Sequence, residues 1–98
     1  MKIAVLGSGM VGRAIAEDLA SSFEVVSFDK SNEALALLAQ RNQSVKTKQF
    51  DLQGEENYTE TLKPYDLVVT AVPGFMGFSV LKKVISAGKN VVDISFSP

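Results

Sequence analysis

The sequence contains no cysteine and no histidine. Without cysteine, the chain forms no disulfide bond and offers no thiolate to a metal ion. Without histidine, it lacks the side chain that most often binds transition metals and most often acts as a general base near neutral pH. Any chemistry must therefore come from a bound cofactor, from carboxylates and lysines, or from residues outside this chain, and we expect no metal site.

The sequence also lacks an excess of charge of either sign and any long apolar run. Ten basic and 11 acidic residues give a net charge of −1, which provides no basic surface for nucleic acid or for a membrane. No apolar run approaches the roughly 20 residues that span a bilayer, and the run at 3–6 leads into glycines rather than a signal-peptide cleavage site. We expect a soluble cytoplasmic protein, and 98 residues suffice for one domain.

Short strand-like segments alternate with segments of helical spacing. Strands are predicted over 2–6, 24–28, 44–50, 66–72 and 90–94, and helices over 10–20, from a Ser31 cap through 39, over 55–63 and over 77–87. This β-α rhythm predicts an α/β fold, a Rossmann-type doubly wound parallel sheet of about five strands with helices on both faces. Right-handed crossovers favour the strand order 3-2-1-4-5, with the more polar third strand at an edge.

Two predicted helices have an apolar stripe that should face the sheet. In the first helix the stripe consists of Val11, Ala14, Ile15 and Leu19, and in the last it consists of Val80, Leu81, Val84 and Ile85. We expect Lys82 and Lys83 to point outward from the last helix.

The motif G-S-G-M-V-G at 7–12 follows the first strand and opens the first helix, which is the context that dinucleotide binding requires. Gly7 permits the tight turn, Gly9 permits close approach to a pyrophosphate, and Gly12 lets the helix pack against the sheet. Ser8 would contribute its backbone N–H, whereas Met10 and Val11 fill the loop mainly by packing. The alternative is a β–α turn that uses its glycines for tight packing alone.

Asp29 ends the second predicted strand, 22 residues after Gly7 (29 − 7). This spacing matches the carboxylate that accepts hydrogen bonds from the adenosine ribose hydroxyls in dinucleotide-binding folds. Since a carboxylate repels a 2′-phosphate, we predict NAD as the cofactor, preferred over NADP. Lys30 can soften that preference by pairing with the phosphate, and the alternative for Asp29 is a turn or capping aspartate.

Ligands of open α/β sheets lie beyond the carboxyl ends of the strands. Asp51 and Leu52 end the third strand and are predicted to flank the adenine, with a simple turn aspartate as the alternative. The fourth strand ends in a predicted backbone wall near the ribose and nicotinamide, formed by Ala71, Val72 and Pro73. Phe75, Met76 and Phe78 either line the nicotinamide side of the cleft or pack against another domain.

These residues resemble the N-terminal NAD-binding domain of the saccharopine dehydrogenase-like family, closest to the lysine 6-dehydrogenase type. The resemblance covers the whole chain and rests on F-D-K at 28–30, F-D-L at 50–52, A-V-P-G-F-M-G-F at 71–78 and A-G-K-N-V-V-D-I-S-F-S-P at 87–98. It implies an oxidoreductase that uses NAD to oxidise an amino acid at its amine-bearing carbon, with lysine or a saccharopine-like compound as substrate. It also implies a V-P-G segment beside the cofactor.

No pair of residues stands out as a general acid and base, so the catalytic residues are not identified. The chain ends directly after the fifth predicted strand. We therefore expect this domain to be truncated before a C-terminal domain that binds the substrate and forms a homodimer in the full-length enzyme, and we expect this chain alone to be inactive.

Two other functions fit parts of the pattern. A regulatory NAD-sensing module of a transport system shares the glycine loop and the acid after the second strand, but generally lacks a V-P-G-F-M-G stretch. A protein-interaction domain that has lost its cofactor would not be expected to keep Gly7, Gly9, Gly12 and Asp29.

Overall fold

The computed structural model describes residues 1–54 and 56–94. The strands are β1 (Lys2–Leu6), β2 (Glu24–Asp29), β3 (Val45–Gln49), β4 (Leu67–Thr70) and β5 (Val91–Asp93). The helices are α1 (Met10–Leu19), α2 (Asn32–Arg41), α3 (Tyr58–Leu62) and α4 (Gly74–Ser86). Residue 55, where the third predicted helix begins, and residues 95–98 of the family-like segment lie outside the described residues. No helix within the described part of the chain is both long and apolar enough to cross a membrane.

The five strands form one parallel sheet in the order β3-β2-β1-β4-β5. This confirms the predicted Rossmann-type fold and strand order. The central strand β1 pairs with β2 on one side and with β4 on the other, so that Val5 lies opposite both Ser27 and Val69. Because all strands run the same way, their carboxyl ends meet at one edge of the sheet, where β1, β2 and β4 end side by side.

The alternation of side chains along β1 divides the core into two layers. Ile3 and Val5 pack in one apolar cluster with Ala16 of α1 and Leu38 of α2. Ala4 and Leu6 pack in the other cluster, on the face covered by α3 and α4, whose members there include Leu62, Val80 and Val84. Helices on both faces explain why β1 reads as a continuous apolar run.

An aromatic chain runs through the core layer beneath α3. Phe28 is fully buried, and its ring lies 5.8 Å from the Phe50 ring and 5.6 Å from the Tyr65 ring, both edge to face. Phe50 in turn contacts Tyr58 at 5.2 Å between ring centroids. These contacts join β2 to α3 and to the two connections around it.

Two helices begin at other residues than predicted, because Pro73 caps α4 and Asn57 caps α3. Helix α4 begins at Gly74, three residues before the predicted start at Gly77 (77 − 74), because the Pro73 carbonyl accepts from the N–H groups of Met76 and Gly77. Helix α3 begins only at Tyr58, where the Asn57 side chain accepts from the Glu60 N–H at 3.1 Å. By contrast, the predicted Ser31 cap is confirmed by a 3.1 Å bond from the Ala34 N–H.

The buried faces of α1 and α4 are rotated from the predicted stripes. In α1 the fully buried residues are Gly12 and Ala16, whereas Val11 and Ala14 are exposed. Small residues lie at the closest approach to the sheet, and the larger Ile15 and Leu19 pack beside them. In α4 the prediction is wrong for Ile85, which is 58% exposed.

Substituting Phe28 by alanine tests the aromatic chain. We expect the free energy of unfolding to fall by about 3–5 kcal/mol, since the change leaves a cavity and removes two ring contacts. Denaturant titration measures this fall, and Phe23→Ala, whose ring is 40% exposed, is the matched control with a much smaller expected loss. Equal losses in the two variants would show that the aromatic chain does not organise this layer.

Candidate functional site

Backbone contacts bring the glycine loop close to the ends of β1, β2 and β4. Gly7 has φ of +107°, and a Cβ there would clash with the Ala71 carbonyl oxygen. A Cβ on Gly12 would clash with the Gly7 carbonyl oxygen. The Gly7 N–H also donates to the Phe28 carbonyl at 2.8 Å. The fold itself therefore requires glycine at the first and third positions of the motif.

Gly9 is different, because no contact among the described residues requires glycine there. Its φ of −72° is open to any residue, and a Cβ would meet no atom of the described residues within 4 Å. The first hydrogen bond within α1 runs from the Arg13 N–H to the Gly9 carbonyl at 2.8 Å. The N–H groups of residues 10–12 precede it and have no acceptor within the helix. The space that a side chain would fill therefore lies beside free helix-start amides, which suits an anion such as a pyrophosphate.

The Asp29 carboxylate joins the glycine loop to the start of the next connection. Its Oδ2 accepts from the Ser8 N–H at 2.6 Å, and its Oδ1 accepts from the Ser31 N–H at 2.9 Å. The second bond is the turn contact that was the alternative prediction for this residue. Each carboxylate oxygen has two acceptor positions, so both oxygens can accept a further hydrogen bond from a ligand.

A single cleft of about 620 Å³ crosses the carboxyl ends of β3, β2, β1 and β4. Its walls come from the glycine loop, from the residues after β2 and β3, and from the residues after β4. They are Gly7, Gly9, Val11, Gly12, Asp29, Lys30, Ser31, Asp51, Leu52, Gln53, Ala71, Val72, Pro73 and Met76. The cleft passes four strand ends, which suits an extended ligand.

The structure brings 11 of the 13 predicted site residues to this cleft and leaves Ser8 and Met10 outside its lining. Ser8 is fully buried, and its hydroxyl has no hydrogen-bond partner within the described residues. Met10 is 80% exposed. Their predicted contacts with a cofactor stay predictions.

Three lining residues were not among the predicted site residues. Ser31 and Gln53 each follow the end of a predicted strand, at 28 and at 50, by three residues (31 − 28 and 53 − 50), which is the signal that would have found them. Met76 enters the cleft, but Phe75 and Phe78 do not line it and are 74% and 79% exposed. The predicted aromatic and methionine cluster is therefore split by the helical turn of α4.

The loop after β3 folds around Asp51. The Asp51 Oδ1 accepts from the Gln53 N–H at 3.1 Å, and its carbonyl accepts from the Gly54 N–H at 3.1 Å. The Asp51 N–H donates to Glu56 Oε2 at 2.8 Å. Asp51 thus has the turn role that was its alternative prediction while it also lines the cleft.

Tyr58 holds this loop from the core side. Its hydroxyl donates to the Leu52 carbonyl at 2.6 Å within the buried aromatic chain. Burial raises the pKa of the Tyr58 hydroxyl well above its usual value, and the Asp51 charge raises it further. The hydroxyl therefore remains a donor over the whole neutral range.

The family comparison identifies the kind of domain to which this chain belongs. The model of the family described as "Saccharopine dehydrogenase NADP binding domain" matches residues 3–98. The chain belongs to this family. It is therefore a nicotinamide-dinucleotide-binding domain of the dehydrogenase type, and the resemblance predicted from the F-D-K, F-D-L and V-P-G stretches is confirmed at the level of the family.

Solved structures repeat the fold in larger chains. Saccharopine dehydrogenase (L-Glu forming) from Saccharomyces cerevisiae is 24% identical with a TM-score of 0.79, and the match covers 97% of this chain and 22% of that one. The 3-hydroxyacyl-CoA dehydrogenase from Archaeoglobus fulgidus is 26% identical with a TM-score of 0.77, covering 98% of this chain and 34% of the other. UDP-N-acetylglucosamine 3-dehydrogenase from Acidithiobacillus ferrooxidans is 23% identical with a TM-score of 0.72, covering 95% and 28%.

This chain thus spans between about a fifth and a third of the length of these proteins. No curated protein matches it in sequence. The family match supports an oxidoreductase and lends no support to the regulatory module of a transport system. It does not distinguish the lysine 6-dehydrogenase type from other members.

Alanine substitutions at Gly9 and at Gly12 test which glycine is needed for binding and which for folding. Gly12→Ala should lower the free energy of unfolding by about 1–3 kcal/mol because the new methyl group meets backbone. Gly9→Ala should leave it within about 0.5 kcal/mol, since the methyl group points into open space, yet it should weaken dinucleotide binding at least tenfold. Denaturant titration and calorimetry measure the two effects. Unchanged binding in Gly9→Ala would mean that no ligand approaches the glycine loop.

The raised pKa of Tyr58 predicts a loss of stability in base. The unfolded chain releases the phenolic proton from about pH 10 upward, whereas the folded chain retains it. The free energy of unfolding should therefore fall as the pH rises above about 10, and it should fall less steeply in Tyr58→Phe. Urea titrations from pH 8 to 11 measure both slopes, and identical slopes would contradict the prediction.

Proposed function

We propose that this chain is the dinucleotide-binding domain of an NAD-dependent oxidoreductase that oxidises an amino acid at its amine-bearing carbon. Lysine or a saccharopine-like compound is the proposed substrate, because the sequence resembles the lysine 6-dehydrogenase type. The observation that carries the proposal is Gly9, whose missing side chain opens the cleft directly above the start of α1.

The residues of the cleft fit a dinucleotide from end to end. The amides at the start of α1 suit the pyrophosphate, and their position at a helix N-terminus favours negative charge. Asp29, on the β2 side, is the acceptor for the adenosine ribose, and Asp51 and Leu52 flank the adenine beyond it. Ala71, Val72 and Pro73, on the opposite side of the glycine loop, form the wall near the nicotinamide.

Asp29 supports a preference for NAD over NADP, although the family is described by NADP. The bonds from Ser8 and Ser31 fix the carboxylate at the cleft wall. A 2′-phosphate placed there would face a like charge, which costs about 4 kcal/mol at 4 Å and an effective dielectric of 20, and less where solvent screens it. Lys30, exposed in the same wall, offsets part of this repulsion.

In this proposal the chain binds and orients the cofactor, and the substrate is held elsewhere. The nicotinamide supplies the hydride-accepting chemistry when it is bound. The buried β4 end excludes water from one side of the cleft, where Ala71 is 4% exposed and Val72 is 1% exposed. A further domain of the full-length enzyme would contact the substrate and form a homodimer, and the proposed location is the cytoplasm. The 98-residue chain alone is expected to turn over no substrate.

Calorimetric titration with NAD and NADP tests the cofactor assignment. The wild-type chain should bind NAD more tightly than NADP. Asp29→Asn, which removes the charge but keeps one acceptor oxygen, should reduce the ratio of NAD affinity to NADP affinity by roughly tenfold. Lys30→Met, the matched control in the same wall, should increase this ratio by weakening NADP binding alone.

Two results would count against the proposal in different ways. Tighter binding of NADP by the wild-type chain would overturn the preference and the ribose role of Asp29, but not the binding function. A folded wild-type chain that binds neither nucleotide would overturn the binding function itself.

An assay of the full-length enzyme tests the substrate. The increase in NADH absorbance with lysine or saccharopine is compared with the increase with other amino acids.

A further inference from the structure

Two side chains from outside the cleft hold the wall that follows β3. This wall consists of residues 51–54, named here the 51–54 loop. Tyr58 donates to the Leu52 carbonyl at 2.6 Å. The Lys83 amine, on α4, lies 3.4 Å from the Leu52 carbonyl oxygen and 3.2 Å from the Gly54 carbonyl oxygen. Lys83 was predicted to point outward, and that prediction is wrong.

Lys83 acts on the loop from behind. It does not line the cleft, but it lines a second groove of about 590 Å³ together with Gln53, Gly54 and Tyr58. The loop therefore separates the two depressions, and Gln53 borders both. The Lys83 amine also lies 5.5 Å from the centre of the Tyr58 ring, so the ring face and the carbonyls together define one position for the charge.

The bonds to Lys83 and Tyr58 set the conformation of the loop. The Leu52 carbonyl accepts from both donors, and the Gly54 carbonyl accepts from Lys83. With these carbonyls drawn toward α3 and α4, the Leu52 and Gln53 side of the loop forms the wall of the cleft. A wall that is already ordered saves the ordering cost that a ligand would otherwise have to offset on binding.

We infer that Lys83 is a positioning residue for the adenine half of the dinucleotide, which it supports through the 51–54 loop without touching the ligand. The inference rests on the proposed function, in which the adenine lies beyond Asp29 on the β2–β3 side of the cleft. The nicotinamide half lies on the β4 side, away from the loop. Lys83 therefore affects one half of the cofactor and not the other.

The test compares variants of the full chain at neighbouring lysines. Lys83→Met keeps the length of the side chain and removes its donors, Lys83→Arg keeps donors, and Lys82→Met changes an exposed lysine of the same helix. Calorimetry measures binding of NAD, AMP and nicotinamide mononucleotide. We expect Lys83→Met to weaken NAD and AMP by roughly tenfold, which corresponds to about 1.4 kcal/mol. Nicotinamide mononucleotide should bind as before, Lys83→Arg should restore most of the AMP affinity, and Lys82→Met should match the wild type.

Amide hydrogen exchange supplies a second readout that does not depend on a ligand. Lys83→Met should speed exchange at Gln53 and Gly54, whose N–H groups bond to Asp51, and leave Ser31 unchanged. Tyr58→Phe removes the other donor to the Leu52 carbonyl, so it should produce the same pattern even if Lys83→Met does not fold.

Four results would overturn the inference. Unchanged AMP affinity in Lys83→Met, or an equal loss for AMP and nicotinamide mononucleotide, would show that Lys83 does not act on the adenine half. If Lys83→Met weakens AMP binding and Lys83→Arg weakens it equally, the hydrogen-bond donors of the side chain are not responsible. A folded wild-type chain that binds neither NAD nor AMP would overturn the proposed function and this inference with it. The other results concern the variants alone and leave the proposed function intact.

Discussion

The close contact of backbone with backbone at the centre of the sheet is the constraint on which the rest of this structure depends. Gly12 lies against the Gly7 carbonyl, and Gly7 lies against the Ala71 carbonyl. Since carbonyl groups cannot rotate away as a flexible side chain can, α1 starts at one place relative to β1 and β4. The same contacts place the first amides of α1 at the mouth of the cleft, so packing and binding have one geometric origin.

Asp29 extends this arrangement to β2. Its carboxylate bonds to an amide of the glycine loop and to an amide at the start of the next connection, and these bonds hold two chain segments at a set distance. A residue of this kind has a structural role and still has acceptor capacity for a ligand. The turn role and the ribose role, which the sequence presents as alternatives for Asp29, are compatible in one side chain.

The far wall of the cleft is organised differently, from the core outward. The aromatic chain from Phe28 through Phe50 to Tyr58 ends in a hydroxyl that bonds to the loop after β3. Burial keeps that hydroxyl protonated, and Lys83 adds a charged donor from α4. The wall beside Asp29 therefore depends on residues that lie on the opposite side of the loop from the cleft.

The sequence by itself determined the strand order, the glycine loop and most of the cleft, because each of these depends on local pattern. A β-α rhythm permits few right-handed parallel arrangements. The carboxyl ends of the strands in such a sheet lie at one edge, so the residues after Gly7, Asp29, Phe50 and Ala71 lie close together there. Only the tertiary structure decided which glycine is free of packing, because Gly9 and Gly12 look alike in sequence and differ in their neighbours. It also decided that Lys83 turns inward, since the carbonyls that attract it belong to residues about 30 positions earlier in the chain, 31 for Leu52 and 29 for Gly54.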